Sequence, residues 1–193
     1  MKLVIIDYGA GNIKSIQFAF KRLGVNAILS CNPEEIRGAD KVIFPGVGEA
    51  SSAMAKLKES GLDKVIPTLA QPVLGICLGM QLMCTATEEG KTQGLNIFNT
   101  TVKRFSNERK VPQMGWNRIM NLKSELFKGV AENEYMYSVH SYYAENTIAS
   151  IASTNYITTY ASALKKDNFY GVQFHPEKSG KAGARILQNF LNL

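Results

Sequence analysis

No stretch of this chain constrains its fold more than Gly75-Ile76-Cys77-Leu78-Gly79. It joins a strand-like run, Pro72-Val73-Leu74-Gly75-Ile76, to a helix-like one, Met80-Gln81-Leu82-Met83-Cys84. A cysteine flanked two residues away on each side by glycine, between strand and helix, is the cysteine form of a nucleophile elbow. The turn is so tight that the glycine positions have no room for a Cβ. Such a turn lifts the Cys77 side chain above the end of a sheet, at a helix N-terminus, where unpaired N–H groups and the helix dipole favour thiolate. It also aims the Leu78 N–H at the oxygen of an attacked carbonyl, half of an oxyanion hole. Cys31 and Cys84 lack that context and read as small buried apolar residues.

Around the elbow the first half of the chain alternates strand and helix patterns. Leu3–Ile6 is an apolar run followed by the turn Gly9-Ala10-Gly11-Asn12, then by Ile13, Ile16, Phe20 and Leu23 at helical spacing, closed by Gly24. Strands are expected at Val25–Ser30, Lys41–Phe44 and Pro72–Ile76, and helices at Glu49–Glu59 and Leu62–Ala70. Short apolar strands separated by helices indicate parallel βαβ units. From Gly94 to Phe174 the β-formers dominate, at Thr101–Phe105, Tyr135–Val139, Ile148–Thr154, Tyr156–Ala161 and Phe169–Phe174, which read as antiparallel additions. A last helix, Lys181–Leu193, puts Ile186, Leu187, Phe190 and Leu191 on one face. The fold class is therefore α/β, a mostly parallel central sheet flanked by helices with an added antiparallel portion.

A length of 193 residues suits one domain, since two would each have a thin core. No apolar run approaches the roughly 20 residues of a membrane span, and the N-terminal apolar stretch is too short for a signal peptide, so the expected location is cytoplasmic. The three cysteines include no CxxC pair, so no metal site or disulfide framework is indicated. The Gly9–Asn12 turn lacks the third glycine of a dinucleotide fingerprint, and no cofactor is called for. The formal charge of +6 is scattered over 22 Lys and Arg without the concentrated stripe of a nucleic-acid binder. Neither nucleic acid nor membrane is expected as a partner.

The chain has two histidines. His175 ends an extended run and is followed by Pro176-Glu177. Residues i and i+2 of an extended segment point the same way, and Pro176 favours extension at His175. Glu177 is thus placed to fix the imidazole tautomer and leave the other nitrogen to Cys77, the orienter–base–nucleophile logic of a triad. His140 has no carboxylate at such spacing and is expected in a structural role or in the pocket wall. Pro45-Gly46-Val47-Gly48 follows the third strand. Ligands of open α/β sheets gather at the carboxyl ends of strands, so this loop is expected beside Cys77, supplying the second oxyanion donor.

Asp7-Tyr8-Gly9-Ala10-Gly11-Asn12, Pro45-Gly46-Val47-Gly48, Gly75 to Gln81 and His175-Pro176-Glu177 together resemble the class I (triad) glutamine amidotransferases. Val111-Pro112-Gln113-Met114-Gly115-Trp116-Asn117 and Val139-His140-Ser141-Tyr142-Tyr143 narrow the resemblance to the glutaminase subunits of imidazole glycerol phosphate synthases. The resemblance covers nearly the whole chain, and departs where many members carry His and this chain has Gln113. It implies hydrolysis of L-glutamine by Cys77, His175 and Glu177. Gln81, Ser141 and Tyr142 would hold the substrate, and Gly46, Val47, Gly48 and Leu78 would form the oxyanion hole. It further implies ammonia delivery to a (β/α)8-barrel cyclase in a heterodimer of histidine biosynthesis, with Asn12, Trp116 and Lys178 facing that partner. Trp116, the sole tryptophan, suits an interface or a core anchor equally. Service to a surface-sugar synthase, or action alone as a thiol hydrolase, are the alternative readings.

Overall fold

The computed structural model describes residues 1–9 and 12–193; Ala10 and Gly11 of the expected Gly9–Asn12 turn lie outside the described residues. The elements run β1 (Leu3–Ile6), α1 (Ile13–Arg22), β2 (Ile28–Ser30), α2 (Pro33–Arg37), β3 (Lys41–Phe44), α3 (Ala50–Glu59), α4 (Leu62–Val65), β4 (Val73–Ile76), α5 (Leu78–Leu82), β5 (Cys84–Thr87), β6 (Thr92–Gln93) and β7 (Phe98–Arg104). They continue with β8 (Gln113–Arg118), β9 (Tyr135–His140), β10 (Tyr142–Ala144), β11 (Ser150–Tyr156), β12 (Thr158–Lys166), β13 (Phe169–Val172) and α6 (Gly180–Leu191).

One sheet has the order β2-β1-β3-β4-β13-β12-β10-β7-β5-β6, with β11 on β12; β8 and β9 form a separate two-stranded sheet. The pairs β1–β2, β1–β3, β3–β4 and β4–β13 are parallel. β12 pairs antiparallel with β13, and β10 antiparallel with β12 and β7. The parallel half is buried on both faces. Val4, Ile6, Val42 and Phe44 pack against α3 and α4, while Leu3, Ile5, Ile43 and Leu74 pack against α1 and α6. Double burial explains why these strands read as unbroken apolar runs rather than alternating ones. Among the described residues, no helix is long and apolar enough to cross a membrane.

Local chemistry sets the element ends. Helix α1 stops at a left-handed Gly24 (φ 81°), with Lys21 and Arg22 in its last turn, the sign favoured at the negative end of the dipole. Helix α2 has no periodic pattern long enough to be read from sequence. Asn32 nucleates it by accepting from the N–H groups of Glu34 (2.9 Å) and Glu35 (3.4 Å), with Pro33 at its first position.

Several expected boundaries move. The second strand is confined to Ile28–Ser30, the part in register with Val4–Ile6. The helix expected through Ala70 ends at Val65 and continues as a 3-10 turn, Ile66–Thr68, which includes Pro67. The helix after Cys77 ends before Cys84, which instead opens β5 and pairs with Phe98. Phe169–Phe174, grouped with the antiparallel additions, contributes β13 to the central sheet, parallel to β4 on one side and antiparallel to β12 on the other. It is therefore the seam between the two halves. Strand β8 was not expected: its alternate residues are exposed, and Gly115 sits at φ 125°, so neither an apolar run nor strand-forming side chains announce it. Cys31 is exposed, against the expectation that it is buried, whereas Cys84 is fully buried and its thiol is pushed up by that burial.

Candidate active site

Strand β4 delivers Cys77 into α5 through a turn in which Cys77 itself takes φ 54° and ψ −113°. A non-glycine residue there costs of order 1–3 kcal/mol and persists only where its surroundings hold it. They do so here: the Cys77 N–H donates to the Val172 carbonyl of β13 (2.8 Å), and its own carbonyl accepts from Gln81 N–H (3.2 Å). The flanking glycines are sterically required. A Cβ on Gly79 would lie 2.0 Å from the Phe44 carbonyl oxygen, and one on Gly75 would lie 2.6 Å from the Met83 sulfur. A Cβ on Gly46 would meet the Gly79 nitrogen at 2.6 Å, so the loop after β3 rests directly on the elbow. The Tyr8 hydroxyl, at the end of β1, pins that loop by donating to the Pro45 carbonyl (2.9 Å). Burial, with Cys77 beside it, raises the Tyr8 phenol and keeps it a neutral donor.

Beyond β13 the chain presents His175, whose Nδ1 lies 2.9 Å from Glu177 Oε1 in a buried pair. The His175 N–H is tied to the Tyr137 carbonyl (2.8 Å), and the Ser179 hydroxyl donates to the His175 carbonyl (2.7 Å), which fixes the backbone around the ring. The second ring nitrogen, Nε2, is buried and has no hydrogen-bond partner among the described residues. Burial alone would lower the imidazole's proton affinity; the Cys77 sulfur and the Glu177 carboxylate more than offset it, and His175 is pushed up to about 10.

Cys77 and His175 line the same cavity, of about 300 Å³, together with Val47, Gly48, Leu78 and Gln81. Ser141, Tyr142 and His140 close another side. The structure thus brings the sequence-selected nucleophile, base and pocket residues around one space, with Gly46 just beneath the elbow. Two further groups lie at the site: Glu89, which with Glu88 the sequence leaves undecided as a substrate contact, and Gln173. Glu89 lines the cavity and accepts from the Ala50 N–H (2.9 Å) at the start of α3; burial raises its carboxyl, opposed by that hydrogen bond and aided by neighbouring Glu49. Its neighbour Glu88 instead accepts from the Arg104 N–H. Gln173, fully buried, donates toward the Cys77 sulfur (3.8 Å). Its only sequence signal is its place two residues before His175.

Of the residues assigned to a partner surface, Trp116 is more than half exposed. It meets the Tyr137 ring edge-on at 6.0 Å, and Lys178 places its ammonium 5.8 Å from the same ring. Asn12 sits at the start of α1 and accepts from the Ser15 hydroxyl (3.0 Å).

The sequence model described as glutamine amidotransferase class-I matches residues 4–193. An imidazole glycerol phosphate synthase subunit HisH from Bacteroides fragilis (strain YCH46) is 58% identical over the full length of both chains. A HisH from Haemophilus influenzae (strain ATCC 51907) is 47% identical, covering 99% of this chain and 97% of that one. Among solved structures, a putative GMP synthase protein from Thermoplasma acidophilum superposes with a TM-score of 0.78 at 22% identity, covering 100% of this chain and 92% of its own. A glutamine amidotransferase crystal structure gives 0.74 at 18% identity, with 98% and 97% covered. These last two share the fold. The chain belongs to the class-I glutamine amidotransferase family and, within it, to the HisH subunits of imidazole glycerol phosphate synthase.

Proposed function

We propose that the chain, as one glutamine amidotransferase domain over residues 1–193, hydrolyses L-glutamine and supplies the ammonia to the cyclase of imidazole glycerol phosphate synthase in histidine biosynthesis. The observation that carries the chemistry is the Cys77 elbow opening into a cavity shared with the unpartnered Nε2 of His175. Full-length identity to HisH subunits supports the destination of the ammonia.

In this reading the Cys77 sulfur attacks the side-chain carbonyl carbon of glutamine. The resulting oxyanion is held by the Leu78 N–H and by one from Gly46–Gly48, donors whose removal typically costs about 100- to 1,000-fold in rate. The His175 imidazolium gives its proton to the departing nitrogen, the C–N bond breaks, and ammonia leaves a thioester on Cys77. His175, now neutral, takes a proton from the water that attacks the thioester carbon; the C–S bond breaks, glutamate leaves, and the Cys77 thiolate and His175 imidazolium are restored. Glu177 holds the ring in the tautomer that presents Nε2. Glu89 is the carboxylate among the cavity-lining residues and suits the substrate's α-ammonium group.

The partner is a (β/α)8-barrel cyclase in a heterodimer. Exposed Met114 and Trp116 on β8 and the Tyr137–Lys178 contact offer an apolar patch rimmed by cations, with Asn12 as a further contact. The three free cysteines suit the reducing cytoplasm. The test is Cys77→Ala in the assembled synthase, assayed with glutamine and separately with ammonium salt. Product formation from glutamine is expected to vanish and that from ammonium to persist; survival of the glutamine reaction would refute the reading.

A further inference from the structure

Along and behind the pocket wall lies a run of buried polar groups: Gln113, Tyr160, His140, Gln81 and Gln173 are each at most 7% exposed, and His140 and Gln81 also line the cavity. Hydrogen-bonding roles along it follow from which atoms can only accept. The Tyr142 carbonyl is 2.7 Å from His140 Nδ1 and 2.9 Å from the Gln81 carboxamide nitrogen. A carbonyl has no proton to give, so Nδ1 must carry one and Gln81 must present its NH2 there. The second Gln81 proton goes to Gln173 Oε1 (2.9 Å), and Gln173 in turn donates toward the Cys77 sulfur (3.8 Å). Both Gln81 donors are then engaged. Its oxygen is the group left to face the cavity, an acceptor for a carboxamide N–H.

His140 has its other nitrogen, Nε2, 3.2 Å from the Tyr160 hydroxyl, which as the side chains stand donates to Gln113 Oε1 (3.0 Å). Burial, partly opposed by the bond to Tyr142 and aided by His175, pushes His140 down to about 4, so the ring is neutral and Nε2 is bare. Tyr160 has one proton to share between His140 and Gln113, and the Thr154 hydroxyl also bonds to it. Turning the Gln113 carboxamide so that its NH2 faces the Tyr160 oxygen satisfies every member: Gln113 donates to Tyr160, Tyr160 to His140, and His140 to Tyr142.

We propose that His140 is a positioning residue for glutamine, acting through the Tyr142 carbonyl to hold the Gln81 oxygen toward the substrate carboxamide. Both of its ring nitrogens are engaged within the protein, so it acts on the substrate only through Gln81. The relay starts at Gln113, which pairs with His140 across the β8–β9 sheet and directly precedes exposed Met114. The proposal rests on the glutamine-site reading above.

Two substitutions separate positioning from bulk. An Asn amide can stand in for Nδ1–H, whereas a Gln amide reaches the Nε2 position instead. In the assembled synthase, His140→Gln is expected to raise the KM for glutamine about tenfold, the worth of one hydrogen bond, with a much smaller change in kcat. His140→Asn is expected to restore most of that loss. Equal effects of the two substitutions, or a fall in kcat at unchanged KM, would overturn the proposal. Independently of any variant, ¹⁵N chemical shifts of the full chain, which has two histidines to assign, report the His140 tautomer. Protonation at Nδ1 is required, and protonation at Nε2 alone would sink it. Wild-type synthase that turned over no glutamine would instead fail the underlying reading and leave these tautomer data to stand by themselves.

Discussion

Glu177 reaches His175 with one oxygen, and its other oxygen is buried without a partner among the described residues. The carboxylate is one of the groups that raise His175. Replacing the carboxylate by an amide keeps size and removes the charge that fixes the tautomer. Glu177→Gln is therefore expected to lower glutamine-dependent kcat by roughly 100- to 10,000-fold, on the scale of a triad acid replaced by its amide, with little change in KM. Stopped assays of glutamate release check this, and near-normal kcat would remove Glu177 from the triad. At this scale the sequence was informative. Glycines at 75 and 79 implied a turn with no room for a Cβ, and the close approaches to Met83 and Phe44 supply the atoms that exclude one. Gln173 was illegible, and the choice between Glu88 and Glu89 stayed open, because nothing in their neighbours' identities says which way they point.

The β8–β9 sheet is the element whose role depends most on surroundings. Its outer face carries Met114, Trp116 and Tyr135, all strongly exposed, and Trp116 makes an aromatic contact with Tyr137 rather than with the core. Such residues cost little to remove from the isolated fold. Trp116→Ala is expected to leave the melting temperature within about 2 °C, since surface substitutions usually stay within about 0.5 kcal/mol. It should weaken association with the cyclase by about 2 kcal/mol, roughly 30-fold in Kd by titration calorimetry. An unchanged Kd would move the docking surface elsewhere. Sequence reasoning left Trp116 equally poised between interface and core; exposure decides for the surface. It missed β8 altogether, because a glycine-containing strand paired on one side, with alternate residues exposed, need not look like one.

For the molecule as a whole, the two buried histidines titrate in opposite directions. His175 is pushed up to about 10, so the folded state holds a proton that the unfolded chain loses near the ordinary value of 6.5. Its contribution is fully present below about 6.5 and is lost as pH rises through about 10. His140 is pushed down to about 4, so below about 6.5 the unfolded chain takes up a proton that the fold refuses, and stability falls as pH drops toward 4. Urea unfolding across pH 4–10 is expected to show losses at both ends. Cys77→Ala, which removes one of the groups raising His175, should shrink the alkaline loss and leave the acid one. An alkaline limb of unchanged depth in that variant would show that the sulfur does not bear on His175.

The sequence by itself determined the parallel strands, because burial on both faces demands unbroken apolar runs, and it determined the elbow, because two glycines are excluded volume written in residue identity. It also determined that Glu177 follows His175 at a spacing that lets the two side chains meet, but they do so across a 3-10 turn at Pro176–Lys178 rather than along the extended segment expected. The tertiary structure decided what depends on contact between distant segments. Phe169–Val172 became the seam of the sheet through pairing with β4 and β12, positions nearly a hundred residues and a few residues away. The pocket wall at Ser141–Tyr142, the orientation of Gln81 and the outward face of Trp116 were likewise set by partners that no local pattern names. Hydrogen bonds and burial are properties of neighbours in space, and only the folded chain chooses those neighbours.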